Sequence, residues 1–376
     1  MYYTLIKMNI KTLMKFINKH EKWLLIFFVV VILIQFSFHA FRMYTGENAR
    51  FDPKKWEDKF NKSQWVVPNS QNEISDEDLF IHIGYKLAQG GDPALFSAEV
   101  PPLGKYLIGF FSVATGNTVT YGVFFSALLL VLFFMLNKLL FKHSVLSILP
   151  VVFLSFDPIF IDQIGHSMLD AQYLSFLLLM FIFLLKKKYL VSAAFAGLFM
   201  ATKSPFLIVV VYVTLFSYLF LLKELSWKRL VLMPMITGLF YLLTHLQLFI
   251  LGHDLRYFLS VQNFMLHYYQ TGAKGVFGAV IPLIVSGYWF TWFDQDRFIK
   301  EWTILWPTVS ILTLLATYKI SKQRLFTSPY FFLVLWCVFY LGFLCLTPVF
   351  PRYLLLLLPF LYNLSIWVLF PNSDSK

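Results

Sequence analysis

Apolar runs about as long as a bilayer is thick recur along this sequence, and they leave few folds open. About 20 consecutive apolar residues cross the hydrocarbon core as a helix, because a helix satisfies its own backbone polar groups in lipid. Such runs fall at 23–41, 118–137, 144–161, 168–185, 189–203, 205–222, 230–251, 302–318, 329–346 and 353–370 of the 376 residues. They predict an all-α polytopic membrane protein of about ten transmembrane helices, within a range of 9–11. The fifth and sixth runs are parted only by Lys203-Ser204-Pro205, which reads as a helix break near a membrane face. Composition agrees. Hydrophobic residues make up 59% and charged residues 14%, against roughly 45–50% and about 25% in soluble domains.

Charge gives the orientation. Five lysines (Lys7, Lys11, Lys15, Lys19, Lys22) precede the first run, so 1–22 reads as a basic cytoplasmic N-terminus. The alternate short connections then hold Lys138, Lys142, Lys186, Lys187, Lys188, Lys223, Lys228, Arg229, Lys319, Lys322 and Arg324, and Lys376 follows the last run. That places 17 of the 31 basic residues inside, with only Glu21, Glu224 and Asp374 among the acids. The expected topology is N-in and C-in. The net charge of +11 is spent on these flanks and forms no long patch, so no nucleic-acid partner is expected. The run after Lys22 is too long for a signal-peptide core and lacks a small-residue cleavage site, so it reads as a first span. Cys337 and Cys345 share one apolar run and read as buried thiols. Residues 23–376 form a single transmembrane domain with two long outer loops, 42–117 and 252–301, where function is expected.

In the first loop, Asp76, Glu77 and Asp78 stand just before an amphipathic run from Leu79 to Ala88, closed by Gly90-Gly91. Ser75 suits an N-cap, with Asp78 at the third helical position, and acids in a first turn complement the helix dipole. A carboxylate held near the bilayer surface also suits a general base. Further on, Pro101-Pro102-Leu103-Gly104-Lys105 ends the loop on a cation. It reads either as a snorkelling lysine or as a charge placed where an anionic headgroup arrives. Lys203 and Arg352 stand likewise at outer span ends, on separate stretches of chain, and charges so near lipid are functional by default. Arginine suits two-pronged phosphate contact.

The stretch DEDLF…GGDPALFSAEVPPLGKYLIG resembles the first outer loop of the polyprenyl-phosphate-dependent, GT-C-type glycosyltransferases, and above all the protein O-mannosyltransferases. Asp76 and Glu77 match the family's Asp-Glu pair, and Pro101 to Lys105 match its Pro-Pro-Leu-Gly-Lys element; Val100 replaces the family histidine. FDPIFIDQIGHSMLDAQYLSF resembles the third-to-fourth span connection, with Asp170 at the family's Leu-Asp and His166 where arginine is common. AGLFMATKSPF matches a segment ending in lysine (Lys203), SGYWFTWF an aromatic outer segment, and PVFPRYLLLLLPFLY the Pro-Arg-Tyr element, with Arg352 and Tyr353. The second outer loop is too short for the soluble domain that fungal-type members carry there.

The resemblance implies a GT-C-like fold and transfer of a sugar, mannose or another hexose, from polyprenyl phosphate to an acceptor hydroxyl, such as Ser or Thr of a protein. The expected partners are the lipid-linked sugar, an acceptor protein or lipid, and membrane lipid; no oligomeric state follows. Phosphate leaves readily, so one base on the acceptor suffices, and direct displacement inverts the anomeric carbon. Asp76 is the expected base and Glu77 the orienting group, with exchanged roles as an alternative. Lys105, Lys203, Arg352, His166, Asp170 and Tyr353 are expected around the donor phosphate. Asp78, Tyr288, Trp289 and Trp292 are expected to contact acceptor or sugar. In the second loop, His253, Asp254, Arg256, His267, Tyr268 and Tyr269 add polar and aromatic groups; the spacing of His253 and His267 is no metal signature. No cofactor follows from the sequence: a divalent metal is compatible with the chain but not implied by any spacing, and nucleotide fingerprints are missing. The alternative class is a transporter or flippase for an anionic lipid, which calls for ionisable groups in mid-membrane and paired broken helices.

Overall fold

A computed structural model describes residues 2–46, 49–271, 275–291 and 296–370. Gly272, Trp292, Asp374 and Lys376 lie outside these residues. The chain begins with α1 (Tyr2–Tyr44), bent at His20. The first outer loop carries α2 (Pro53–Asn61), α3 (Asp76–Ala88) and α4 (Pro102–Thr115). The bundle follows with α5 (Thr120–Leu140), α6 (Ser144–Ser155), α7 (Pro158–Gly165), α8 (Asp170–Leu185), α9 (Tyr189–Met200), α10 (Ile208–Leu221) and α11 (Trp227–Leu243). The second outer region holds α12 (Leu246–Ile250), α13 (Leu255–Thr271), α14 (Val280–Ser286), β1 (Tyr288–Trp289) and β2 (Arg297–Phe298). The chain closes with α15 (Leu305–Lys322), α16 (Pro329–Leu346) and α17 (Leu358–Leu369).

Lipid is the solvent of this bundle. Only 6% of the apolar window of α1 is buried, and Trp23, Ile34, Phe38 and Phe41 stand bare on its surface. In water such a face would be unsatisfiable; in hydrocarbon it is ordinary. The chain is an integral membrane protein. Helix 14–44, α5 and α16 are each long and apolar enough to cross a membrane, and α6 with α7 adds a fourth as a bent pair. The remaining expected spans coincide with helices that are shorter or more polar, so among the described residues length and composition by themselves pick out three or four crossings of the ten expected.

Several spans are broken, and the breaks have local causes. The run 144–161 is two helices meeting at 70°. Asp157 caps α7 by accepting from the Ile159 N–H, and Pro158 occupies the first helical position, where its missing N–H costs nothing. The run 353–370 opens as a 3₁₀ turn, Pro351–Leu356, before α17. The run 230–251 breaks between α11 and α12.

Without a hydrophobic force between helices in lipid, close packing of small residues holds them together. A Cβ on Gly197 would sit 2.6 Å from the Thr237 carbonyl oxygen, so α9 and α11 touch through that glycine. The core is strongly aromatic. Tyr173 stacks on Phe199 at 3.8 Å, and Phe181 meets Phe332, Trp336 and Phe360 edge-on or tilted. The two ends of the bundle differ chemically. One gathers the basic connections: the Ser144 N–H donates to Glu21 (2.7 Å), and Glu224 collects Lys187 and Arg229. The other gathers the two long outer loops.

Candidate functional site

The site is built around the first turn of α3. The expected cap is present: the Asp78 N–H donates to Ser75 Oγ at 3.2 Å. This leaves Asp76, Glu77 and Asp78 radiating from one helical turn, and each takes its own cation. Arg352 Nη2 reaches Asp76 at 2.6 Å, His166 Nδ1 reaches Glu77 at 2.7 Å, and Lys59 reaches Asp78 at 2.8 Å. Asp78 therefore turns toward α2, away from the other two.

A second layer lies beneath. Asp170, 1% exposed at its side chain, pairs with Lys203 and lies 3.7 Å from Arg352 Nε. Lys203 Nζ sits 4.6 Å over the Tyr353 ring, a cation–π contact. Arg352 thus joins the exposed Asp76 to the buried Asp170. The Arg352 Nε and Asp170 Oδ2 atoms are buried with no hydrogen-bond partner. Such unspent capacity is rare inside proteins.

Close packing fixes the distances. At the crossing of α3 and α4, a Cβ on Gly109 would fall 2.0 Å from the Gly84 carbonyl oxygen, so the two backbones touch. The Pro101–Lys105 element docks α4 on the turn that carries Lys203: the Leu103 N–H donates to the Ala201 carbonyl at 3.2 Å, and Gly104 leaves room for Leu169. Tyr173 donates to the Ser204 carbonyl (2.9 Å) and Tyr340 to that of Tyr353 (2.9 Å), holding both cation-bearing turns.

Six expected residues therefore come together: Asp76, Glu77, His166, Asp170, Lys203 and Arg352, with Tyr353 beside them. Others take different partners. Lys105 is fully buried, and its ammonium donates to the Ser97 and Val100 carbonyls at 2.7 Å each, clamping the loop before it. Desolvation pulls its pKa down to about 8. His166 binds Glu77, and that hydrogen bond lifts the imidazole to about 9, so it is charged at neutral pH. Trp289 is buried, donates to the Val349 carbonyl (2.6 Å) and carries Arg297 over its ring at 5.0 Å. Tyr288 stays half open, its hydroxyl 3.4 Å from Asp296. Trp292 lies outside the described residues.

Further neighbours complete the site, some of them, such as Asp162 and Ser167, not anticipated. Glu77 accepts a second bond from the Ser167 N–H (2.8 Å), and Asp162 approaches His166 Nε2 at 3.5 Å. The i,i+4 spacing of Asp162 and His166 was the available signal. Asp157, buried, accepts from Trp306 Nε1 (2.9 Å) and the Tyr362 hydroxyl (2.6 Å), tying the bend to α15 and α17. His253 meets Asp92 at 2.6 Å and so latches the second outer loop to the first. Tyr268 and Tyr269 on α13 both lie within electrostatic reach of Asp76 and Glu99. Among the described residues, no three His, Cys, Asp or Glu side chains converge as metal donors.

Neither a protein-family model nor a curated protein sequence matches this chain. Its backbone does resemble solved structures. The crystal structure of ArnT from Cupriavidus metallidurans bound to undecaprenyl phosphate superposes with a TM-score of 0.61 at 14% identity, over 91% of this chain and 59% of that one. The apo-state structure gives 0.61 at 13% identity, over 93% and 60%. This chain thus spans about three-fifths of their length. Neither neighbour is a protein O-mannosyltransferase, so the likeness to that branch gains no support from them. What the chain shares with these structures is the ArnT-like, GT-C-type helical membrane fold.

Proposed function

We propose that this protein is a membrane glycosyltransferase that moves a sugar from a polyprenyl-phosphate donor to an acceptor hydroxyl, on the extracytoplasmic side of the bilayer. One observation carries the reading: Arg352 bridges an open carboxylate, Asp76, and a buried one, Asp170, that in turn holds Lys203. A base and two phosphate-binding cations thus meet at one point, from stretches far apart in sequence. The structural neighbour bound to undecaprenyl phosphate adds the lipid class. Sidedness rests on the charge pattern, which leaves this end opposite the basic connections.

The donor phosphate sits against Lys203 and Arg352, with Tyr353 closing the lipid side. Asp170 orients both cations and keeps the empty site near neutrality. The acceptor oxygen attacks the anomeric carbon as the carbon–oxygen bond to phosphate breaks; its proton passes to Asp76, and polyprenyl phosphate departs with the electron pair. Configuration inverts. Asp76 is the base because 53% of its side chain remains open, whereas Glu77 is held at both oxygens by His166 and the Ser167 N–H and serves to orient. The mannosyltransferase-like motifs make mannose the first sugar to try, with Ser or Thr hydroxyls of a protein among the acceptors.

The test is sugar transfer in membranes from a polyprenyl-phosphate hexose. Asp76→Asn is expected to abolish it; undiminished activity removes Asp76 as the base. Arg352→Glu is expected to raise the donor KM more than the acceptor KM. The rival reading, transport, calls for paired broken helices in two related halves; the breaks described above fall in three separate runs, and the sequence carries no internal repeat that would pair them.

A further inference from the structure

Beside the cation pair lies a cleft of about 340 Å³, walled by Asp162, Arg297, Lys300, Glu301 and Arg352 with Phe298 and Phe350. That is the lower end of the range for small-ligand pockets. It connects to Asp76 through one side chain and to Glu77 through two. On one wall Arg352 holds Asp76; on the other Asp162 approaches His166, which holds Glu77. Asp162 also lies within electrostatic reach of Glu301, Glu77 and Arg352, so these groups form one local field.

The charges of the lining select the ligand. Arg297, Lys300 and Arg352 bring three positive charges, and Asp162 and Glu301 two negative ones. The lining includes Arg352 but not Lys203, Asp170 or Asp76, so the cleft adjoins the donor-phosphate position without containing it. A nearly balanced mixture of donors and acceptors suits a neutral, polyhydroxylated ligand: carboxylates accept from hydroxyls, while guanidinium and ammonium groups donate. Phe298 offers an apolar wall, its side chain exposed and packed edge-on against Tyr288. Arg297, Phe298 and Lys300 are exposed at the mouth of the cleft, and the two cations among them suit a rim at water or headgroup level.

We infer that this cleft is the acceptor subsite and that it takes a sugar ring, making the acceptor a glycan or glycoside hydroxyl. This rests on the donor reading above for its catalytic consequence, though not for binding. Room and chemistry both fit one glycosyl unit, held so that its reacting hydroxyl points past Arg352 toward Asp76.

The experiment uses the full chain in nanodiscs with three readouts. Saturation-transfer NMR with methyl hexosides (mannoside, glucoside, galactoside) reads binding without turnover. Hydrolysis of a polyprenyl-phosphate hexose by water reads the donor site alone. Transfer to the methyl hexosides, or to a Ser/Thr peptide, reads the acceptor. Glu301→Gln and Lys300→Ala, both on the open side of the cleft, are expected to weaken glycoside binding and raise the glycoside KM about tenfold, the scale of one charge-assisted hydrogen bond. Donor hydrolysis should stay unchanged in both. Transfer to the peptide but to no glycoside overturns the subsite while leaving the donor reading intact. Glycoside binding that ignores both substitutions also overturns it. Binding that responds to them without any donor turnover upholds the sugar cleft and defeats the transferase reading instead.

Discussion

The two ends of the bundle use the same residue types to different effect. At the basic end, one acid serves several partners: Glu224 takes Lys187 at 2.6 Å, Arg229 at 3.8 Å and the Tyr189 hydroxyl, while Arg229 lies 4.3 Å over the Tyr189 ring. Lys187 is 69% exposed, and water completes whatever the protein leaves undone. Such pairs contribute roughly 0–1 kcal/mol. At the other end, Asp170 is sealed away from water, and its second oxygen faces the Arg352 Nε at 3.7 Å, an ion pair too long for a hydrogen bond. Buried charges there are expensive to separate and incompletely satisfied together. Solvent completes the first cluster; the second is closed from solvent and holds its charges against one another. The lesson is that the same charge types differ chiefly in burial: exposed and screened at one end, sealed and held against each other at the other.

The sharpest test of this contrast is Asp76→Asn, which should lower sugar transfer about 10²–10⁴-fold, the usual contribution of a positioned base. Its thermal unfolding in detergent should barely move. Lys203→Met should act on folding, since it leaves Asp170 charged, buried and half-partnered; the expected loss is about 3–5 kcal/mol, read by denaturant unfolding. A small effect there would erase the distinction between the ends. Gly109→Ala should cost about 1–3 kcal/mol by forcing α3 and α4 apart, and should reduce transfer because α3 carries both carboxylates.

A pH titration comes next in size. The His166 imidazole sits at about 9 when bound to Glu77 and near 6.5 when free. A raised histidine contributes fully below its free value and loses that contribution as pH climbs through the bound one. The stability this pair contributes should therefore decline between pH 6.5 and about 9, activity that depends on the oriented Glu77 should fall only as pH passes about 9, and both changes should vanish in His166→Gln. The smallest effect is expected at the opposite end: Glu224→Gln should change stability by under about 1 kcal/mol and leave transfer untouched.

Much of this was legible because a charge in so greasy a chain has few reasons to be there. Lys203, Asp170 and Arg352 stood out against apolar runs, and Ser75 followed by acids announced the start of α3. Motif order then suggested which of them meet. Other outcomes depend on direction, which sequence does not carry. Lys105 has the right charge at the right loop end, yet its ammonium turns inward to the Ser97 and Val100 carbonyls. His166, standing where arginine is common, reaches Glu77. Trp289 was expected against acceptor or sugar, and is buried beneath Arg297. The bend at Asp157-Pro158 was written in the chain, but hydropathy runs straight through it, because a capped break changes backbone direction without changing apolarity.

Asp76 and Arg352 are 276 positions apart. At about 5–20 residues per second of synthesis, the carboxylate emerges roughly 15 to 55 seconds before its guanidinium partner exists. During that interval the nascent chain already sits among its lipids, yet half of the machinery has not been made. On the proposed mechanism, a ribosome that stalls short of Arg352 leaves a fragment with the carboxylate but without its guanidinium, and sugar transfer would wait for complete synthesis.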